Sequence, residues 1–360
     1  TKGRLLFVGD LAPHCRTYQR YRAFSELGYE VEGVTSSPVD YQPGITPLTF
    51  RSRLFFKLGR PLDETGANGK LVEAAKRFRP DVIWVERALM IRRAAIEQAI
   101  AACDGAVKVF SYSEDDMFAP HNQSRYYLDC LPKYDVVFTT KSYNCRPEEL
   151  PALGARRVVF VDKAYDRHAH RPIELTAREK AELGADVGFI GTFEADRARQ
   201  CLLLARQGFP VRIWGNGWGG LVGTNPNLRI ENRPMYGDDY VKALRATRIN
   251  LCFLRKMNRD LQTDRTMELP ACGAFMLAER SEEHLRLFEE GKEAAYFDVN
   301  RDDELIAKVS YYLEHESERR AVAAAGRQRA VNSGYSHHER LEWMMTQGNA
   351  ACAGAAYACR

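Results

Sequence analysis

Arg4-Leu5-Leu6-Phe7-Val8-Gly9-Asp10 is a short apolar run that stops at a glycine and an aspartate, the pattern of a strand entering a loop. Behind it, Tyr18, Tyr21, Phe24 and Leu27 recur every third residue within 16–27, which places them on one face of a helix. Gly28 follows as a C-cap, and 29–34 reads as a second strand. The alternation continues with helices over 71–78 and 92–102 and strands over 81–85, 107–112, 135–139 and 158–161. Strands and helices in this order predict an α/β fold, a parallel sheet with helices on both faces.

A polar stretch, 165–184, interrupts the pattern with Arg167, His168, His170, Arg171 and Pro172, and reads as a linker into a short helix. The pattern then restarts. Strands are expected over 187–190, 211–214, 250–253 and 274–278, and helices over 197–207, 238–246, 266–272, 281–290, 302–314, 321–331 and 336–345. Domains usually hold ~100–200 residues, so a chain of 360 residues accommodates two. The expected division is 1–170, 171–335, and a terminal helix and tail over 336–360. Two doubly wound domains predict a ligand cleft at the carboxyl ends of their strands.

Composition narrows the function classes. Lys+Arg number 52 against 48 Asp+Glu, for a formal net charge of +4, which gives no nucleic-acid footprint. Arg16, Arg20 and Arg22 suit a small anionic ligand instead. The nine cysteines are scattered without a CxxC pair, arguing for free thiols in a reducing cytoplasm and against a zinc site or disulfide framework. No run reaches the ~18 apolar residues of a membrane span, so membrane contact, if any, is peripheral. Residues 5–8 are too short for a signal core.

Several strand exits carry candidate chemistry. Gly9, Asp10 and His14 lie between the first strand and the helix from Arg16, whose N-terminus attracts anions. Gly191-Thr192, with Arg197 beyond, forms a similar exit where a diphosphate has room to approach. Trp214-Gly215-Asn216-Gly217-Trp218 is a second glycine-rich exit; its tryptophans either stack on a base or sugar or belong to the core. In Glu114-Asp115-Asp116, a carboxylate is placed either as a general base for a hydroxyl or as a helix N-cap. The stretch 258–273 is the most informative. A polar loop holding Asn258, Asp260, Arg265 and Thr266 leads into a short helix with Glu268, an acceptor-only carboxylate suited to the hydroxyls of a ribose. Pro270 is expected in the first turns of that helix. The pairs His168/His170 and His337/His338 lack further ligands and read as linker or surface.

Arg60-Pro61-Leu62-Asp63 with Ala67-Asn68, Tyr112 to Met117, Thr139 to Asn144, Phe189 to Thr192, Trp214 to Trp218 and Arg265 to Gly273 together resemble the CgeB-like family of group 1 glycosyltransferases, spore maturation protein CgeB and its relatives, over nearly the whole chain. The resemblance implies a GT-B fold: two Rossmann-like domains facing a cleft, with a terminal helix crossing back to the first. It implies an acceptor domain first, lined by Gly9, His14, Arg16, Asn122 and Lys141, with Asp10, Asp115 and Asp116 as candidate bases. A donor domain follows, with Gly191, Thr192, Arg197, Trp214, Gly215, Asn258, Asp260, Arg265, Thr266 and Glu268 about the nucleotide. Two glutamates eight positions apart mark the donor site in the wider group; Glu268 matches the second and Asp260, a shorter carboxylate, stands at the first. Lys256 or Arg265 is expected to complete a basic pair with Arg197.

The implied reaction moves a sugar from a UDP-, GDP- or dTDP-sugar to a hydroxyl of a glycan, lipid-linked, protein or small-molecule acceptor, with no metal or other cofactor required. Two other readings share the frame: a sugar-nucleotide epimerase or sugar phosphorylase, and a nucleotide-sugar-binding protein without catalysis.

Overall fold

The computed structural model describes residues 1–38 and 49–352, so Cys359 and the end of the tail lie outside the described residues. The chain divides into two compact units, one of residues 1–162 with those from 337 onward, the other of 163–336. In the first unit β1 (Arg4–Gly9), α1 (Arg16–Glu26), β2 (Glu30–Thr35), α2 (Phe50–Lys57), α3 (Ala67–Phe78), β3 (Val82–Glu86), α4 (Arg93–Ala102), β4 (Lys108–Ser113), α5 (Arg125–Cys130), β5 (Val136–Thr139) and β6 (Val158–Phe160) build a parallel sheet of order β2-β1-β3-β4-β5-β6.

Along β1 the side chains alternate between two cores, as the two-residue period of a strand requires. Leu6 and Val8 pack with Ile83, Val85 and the apolar face of α3 and α4. Leu5 and Phe7 pack with Phe24, Trp84, Phe110 and Phe138 on the other side. A sheet covered on both faces has no solvated side, which is why Leu5 to Val8 carry no polar residue. Each such side chain contributes ~1.5–3 kcal/mol on burial.

The second unit holds α6 (Ala177–Leu183), β7 (Ala185–Ile190), α7 (Ala195–Arg206), β8 (Val211–Trp214), β9 (Leu228–Ile230), α8 (Gly237–Ala246), β10 (Thr247–Cys252), α9 (Asp264–Ala271), β11 (Met276–Glu279), α10 (Glu282–Leu287), β12 (Ala295–Phe297), α11 (Asp302–Glu314) and α12 (Glu316–Asn332). Its sheet is also parallel, in the order β12-β11-β10-β7-β8-β9. The last helix, α13 (His337–Cys352), belongs to the first unit, where Leu341, Met344 and Met345 pack under Phe110 and Phe138.

The first boundary falls at 162, not 170. The Lys163 amide donates to Gln262 Oε1 at 2.8 Å, and its ammonium lies 3.0 Å from Asp264. Tyr165 bridges Ser336. These bonds hold 163–170 inside the second unit, so the stretch is not a solvated linker. Pro270 lies in the last turn of α9, not the first turns. There its missing N–H removes a single intrahelical bond, the one to the Thr266 carbonyl.

Candidate active site

Strand order in the second unit reverses between β7 and β10, and ligands of open α/β sheets collect at that switch, outside the carboxyl ends of the strands. Two arginines occupy it. Arg265, from the first turn of α9, donates through Nε to the Ile190 carbonyl at the end of β7 at 2.6 Å. Arg197, from the first turn of α7, donates to the Thr192 carbonyl at 3.2 Å. Both guanidiniums lie by the Phe189 ring, 5.6 Å from its centroid for Arg197 and 5.2 Å for Arg265. Burial, and then the charge of Arg265, push the Arg197 pKa down. Arginine stays protonated nonetheless, so two like charges are held together here. Glu194 offsets part of that charge, 3.6 Å from Arg197 and 2.9 Å from Arg255.

The glycines make this approach possible. A Cβ at Gly191 would stand 2.6 Å from an Arg265 nitrogen and from the Phe189 ring. Gly215 has φ +134° and lies against the Gly191 carbonyl, where a Cβ has no room. The Gly191 amide itself donates to the Trp214 carbonyl at 2.8 Å, so it belongs to the sheet and is not a donor aimed at a ligand. The arginines and the N-terminus of α7 supply the positive charge at this edge.

Trp214, expected among the donor contacts, is fully buried in the core, with the Arg212 guanidinium 4.7 Å from its ring centroid. Trp218 is equally buried and donates to the Gly191 carbonyl at 2.8 Å. Both tryptophans therefore build the floor of the site and present no face to a base or sugar. Thr266 is also fully buried. Its hydroxyl closes a capping box with Thr263 and meets His284 Nε2 at 2.8 Å, so it anchors α9 and does not line the ligand edge. Asn258, buried, donates to Asp260 at 2.9 Å, and Thr192 is exposed. Lys256 lies 3.0 Å from Glu279, which leaves Arg265 as the second charge beside Arg197.

Glu268 is 1 % exposed. Tyr240, half-buried on α8, donates its hydroxyl to Glu268 Oε2 at 2.6 Å. His170 Nδ1 accepts the Asp166 amide at 3.0 Å, so its proton sits on Nε2, 3.6 Å from Glu268 Oε1. His170 is thus a buried neighbour of the carboxylate and not linker surface. Nothing in the sequence around it signals this beyond its adjacency to Asp166. His337 and His338 are buried too; His338 Nε2 lies 2.6 Å from Glu26.

In the first unit the strand order reverses between β1 and β3. Gly9 and Asp10 stand at the end of β1, and Glu86 ends β3. Arg20, buried on α1, pairs with Glu86 and lies 3.0 Å from Glu114, with its guanidinium 5.0 Å from the Tyr112 ring centroid. Burial opposes its charge, but Glu114 and Glu86 more than restore it and hold its pKa above the ordinary arginine value. The sequence carries no sign of this cluster, because Glu86 follows an apolar run with no mark of its own. Asp10 is half-buried, accepts the Ala12 amide at 3.2 Å and lies 3.3 Å from the Cys15 thiol. Burial, reinforced by Asp10, pushes that thiol up to about 12.

Asp115 is partly exposed and lies 2.8 Å from Arg87. Asp116 is fully buried: its carboxylate takes the Asn144 side chain at 2.9 Å and its carbonyl takes Asn122 at 3.0 Å. A proton-transfer role is closed to Asp116 by that burial, and Asn122 is a brace for its loop. Lys141 is 1 % exposed, so it does not face an acceptor; His14 and Arg16 are exposed. Asp63 and Asn68 have a structural role: Asp63 accepts the amides of Ala67 and Asn68 at 2.7 and 3.0 Å and so caps α3.

Residues 194–346 match a family described as Glycosyl transferase-like. The solved structures it resembles include sucrose-phosphate synthase from Thermosynechococcus elongatus, 13% identical, covering 98% of this chain and 100% of that one with a TM-score of 0.63. The fold is that of the GT-B glycosyltransferases, and the matched stretch 194–346 is glycosyl transferase-like. HepE of Anabaena, solved with UDP and glucose, is 11% identical to this chain over 96% of it and 100% of HepE, with a TM-score of 0.60. An α-glucosyltransferase solved with UDP and a 13-mer DNA is 12% identical over 97% and 99%, with a TM-score of 0.64. No curated protein matches by sequence. Among the described residues no helix is long and apolar enough to cross a membrane.

Proposed function

We propose that the chain is a CgeB-like glycosyltransferase that takes its sugar from a uridine diphosphate donor held by the second unit. The observation that carries the reading is the Arg197–Arg265 pair at the β7/β10 switch, two guanidiniums brought together beside Phe189 where a third, anionic group would relieve their repulsion. The UDP complexes of the structural neighbours support uridine as the base.

In this reading the acceptor oxygen bonds to the anomeric carbon as the bond from that carbon to the diphosphate breaks. The electron pair leaves with UDP, and Arg197 and Arg265 stabilise the charge that develops on it. The acceptor hydroxyl gives its proton to a general base, and Asp10 at the end of β1 is the first unit's candidate: it retains accessible surface and, among the described residues, has no guanidinium partner of the kind Arg87 gives Asp115. Glu268 accepts the ribose hydroxyls in this reading only once Tyr240 moves off Oε2, because the carboxylate is sealed beneath Tyr240 and His170 as it stands.

Titration calorimetry with UDP tests the donor site. Each of Arg197→Gln and Arg265→Gln is expected to weaken binding by ~10–100-fold, since a charge-assisted hydrogen bond contributes ~1.5–3 kcal/mol. Unchanged affinity in both variants, or a folded wild type that ignores UDP, GDP and dTDP alike, would overturn the assignment. Asp10→Asn is expected to keep UDP affinity while lowering kcat by ~10²–10⁴-fold, the usual weight of a general base. A kcat within a factor of a few of wild type would remove Asp10 from the reaction.

A further inference from the structure

The helix α2 shows solvent a face that its composition does not explain as an ordinary surface. Phe50 is 82 % exposed, Leu58 56 %, and Leu54 and Phe56 44 % each. Phe50, Leu54 and Leu58 follow one another at four-residue spacing, so they form one stripe along the helix and its C-cap. Arg51, Arg53 and Lys57 are interspersed with them, and α2 contains no acidic residue. The opposite side holds the element to the unit. Ser52, its buried residue, donates to Glu64 and shares a 2.7 Å hydrogen bond with the Thr49 hydroxyl that caps the helix.

The chain leaving α2 leads directly to a cavity. The Arg60 amide donates to the Phe55 carbonyl at 2.9 Å, and the Gly59 carbonyl accepts the Arg125 amide at 2.7 Å. These bonds fix Arg60 and Arg125 on the wall of a cavity of about 510 Å³ that Arg92, Tyr126, Leu128 and Asp129 complete. The Arg92 guanidinium lies 5.4 Å from the Tyr126 ring centroid. Among the described residues none of the three guanidiniums is paired with a carboxylate, although Asp129 shares the cavity. Three unneutralised guanidiniums around one space define a site for an anion with several acceptor oxygens, such as a phosphate.

An apolar stripe with cations alongside it, next to a basic cavity, fits one class of partner. We propose that the first unit docks on an anionic membrane surface, with the Phe50–Leu54–Leu58 stripe in the acyl boundary and a lipid phosphate held by Arg60, Arg92 and Arg125. A helix that shows large apolar residues to solvent with Lys/Arg flanking them is suited to lie in the lipid–water interface. The basic cavity adds the attraction to anionic headgroups that a short stripe needs for stable binding. An acidic protein surface would satisfy the arginines but has no use for four exposed phenylalanine and leucine side chains. The docking is independent of the donor-site reading and is measured without turnover.

The test is co-sedimentation of the full chain with vesicles of phosphatidylcholine, with and without phosphatidylglycerol. The wild type is expected to sediment with the anionic vesicles, to remain in solution with the neutral ones, and to be released by added salt. Phe50→Ser with Leu54→Ser, and separately Arg60→Gln with Arg92→Gln and Arg125→Gln, are each expected to lower the bound fraction by ~10-fold or more. Because all five side chains are exposed, the thermal midpoint should not move, which separates lost docking from lost folding. A wild type that ignores both kinds of vesicle would overturn the proposal. If inorganic phosphate still stabilised that wild type through the three arginines, the cavity would belong to a soluble anion. Concentration-dependent self-association abolished by the Phe50/Leu54 variant, without vesicle binding, would assign the stripe to a second copy of the chain.

Discussion

His284 shows how far a single residue departs from its appearance in the sequence. It lies in α10, in a polar run of Glu282, Glu283 and Arg286, yet it is fully buried. Its Nδ1 donates to the Glu279 carbonyl at 2.6 Å and its Nε2 accepts the Thr266 hydroxyl at 2.8 Å, so the ring is neutral and ties the start of α9 to the end of β11. Burial pulls its pKa down to about 4 from an ordinary value near 6.5. The folded state therefore refuses a proton that the unfolded chain accepts. As pH falls from about 6.5 to about 4 the unfolded state gains that proton first, and roughly 3 kcal/mol of stability is lost across the window. Urea melts at pH 7.5 and pH 4.5 should show this loss in the wild type and a smaller one in His284→Gln. Equal losses in the two proteins would mean that His284 does not titrate in that window.

At the scale of elements, most of the architecture could be read from the sequence because a strand covered on both faces leaves a continuous apolar run. Leu5 to Val8, Val82 to Val85 and Val136 to Phe138 are such runs, and all are strands. The elements that escaped were too short to carry a period: β9 and β12 have three residues each, and α5 has six. The helix α2 escaped for a different reason. Its apolar residues face outward, so its pattern does not mark a buried face. The candidate site was legible in part. Glycine at strand exits and arginine at helix starts are local signals, and they located Gly191, Gly215, Arg197 and Arg265. What residue type could not reveal was burial. Trp214 and Trp218 look alike as ligand platforms or as core, and only the packing under Arg212 and Gly191 decides for core. Asp115 and Asp116 differ by one position in the chain; one lies 2.8 Å from Arg87 near the surface, and the other is sealed under Asn144.

At the scale of the molecule, the two sheets offer a nucleotide two switch points, and electrostatics separates them. In the first unit the edge between β1 and β3 gathers Asp10, Glu86, Glu114 and Asp115 around Arg16, Arg20 and Arg87, so carboxylates outnumber guanidiniums. In the second, Arg197, Arg255 and Arg265 outnumber Glu194 and Asp260. A diphosphate carries its charge into whichever edge it enters, and like-charge contacts cost several kcal/mol when partly desolvated. This difference supports the proposal that the second edge takes the donor, although the matched charge of the whole chain gives no hint of it. Hydrogen exchange with and without saturating UDP measures it directly. Slowed exchange is expected after β7 and β8, in the first turn of α7 and across the loop from Arg255 to Thr263, because binding stabilises only the segments whose opening breaks contact with the ligand. Amides at 9–16 and 86–87 should exchange as before in the presence of UDP alone. Protection at those first-unit positions, with none after β7, would place the nucleotide at the carboxylate-rich edge and reverse the assignment of the two switch points.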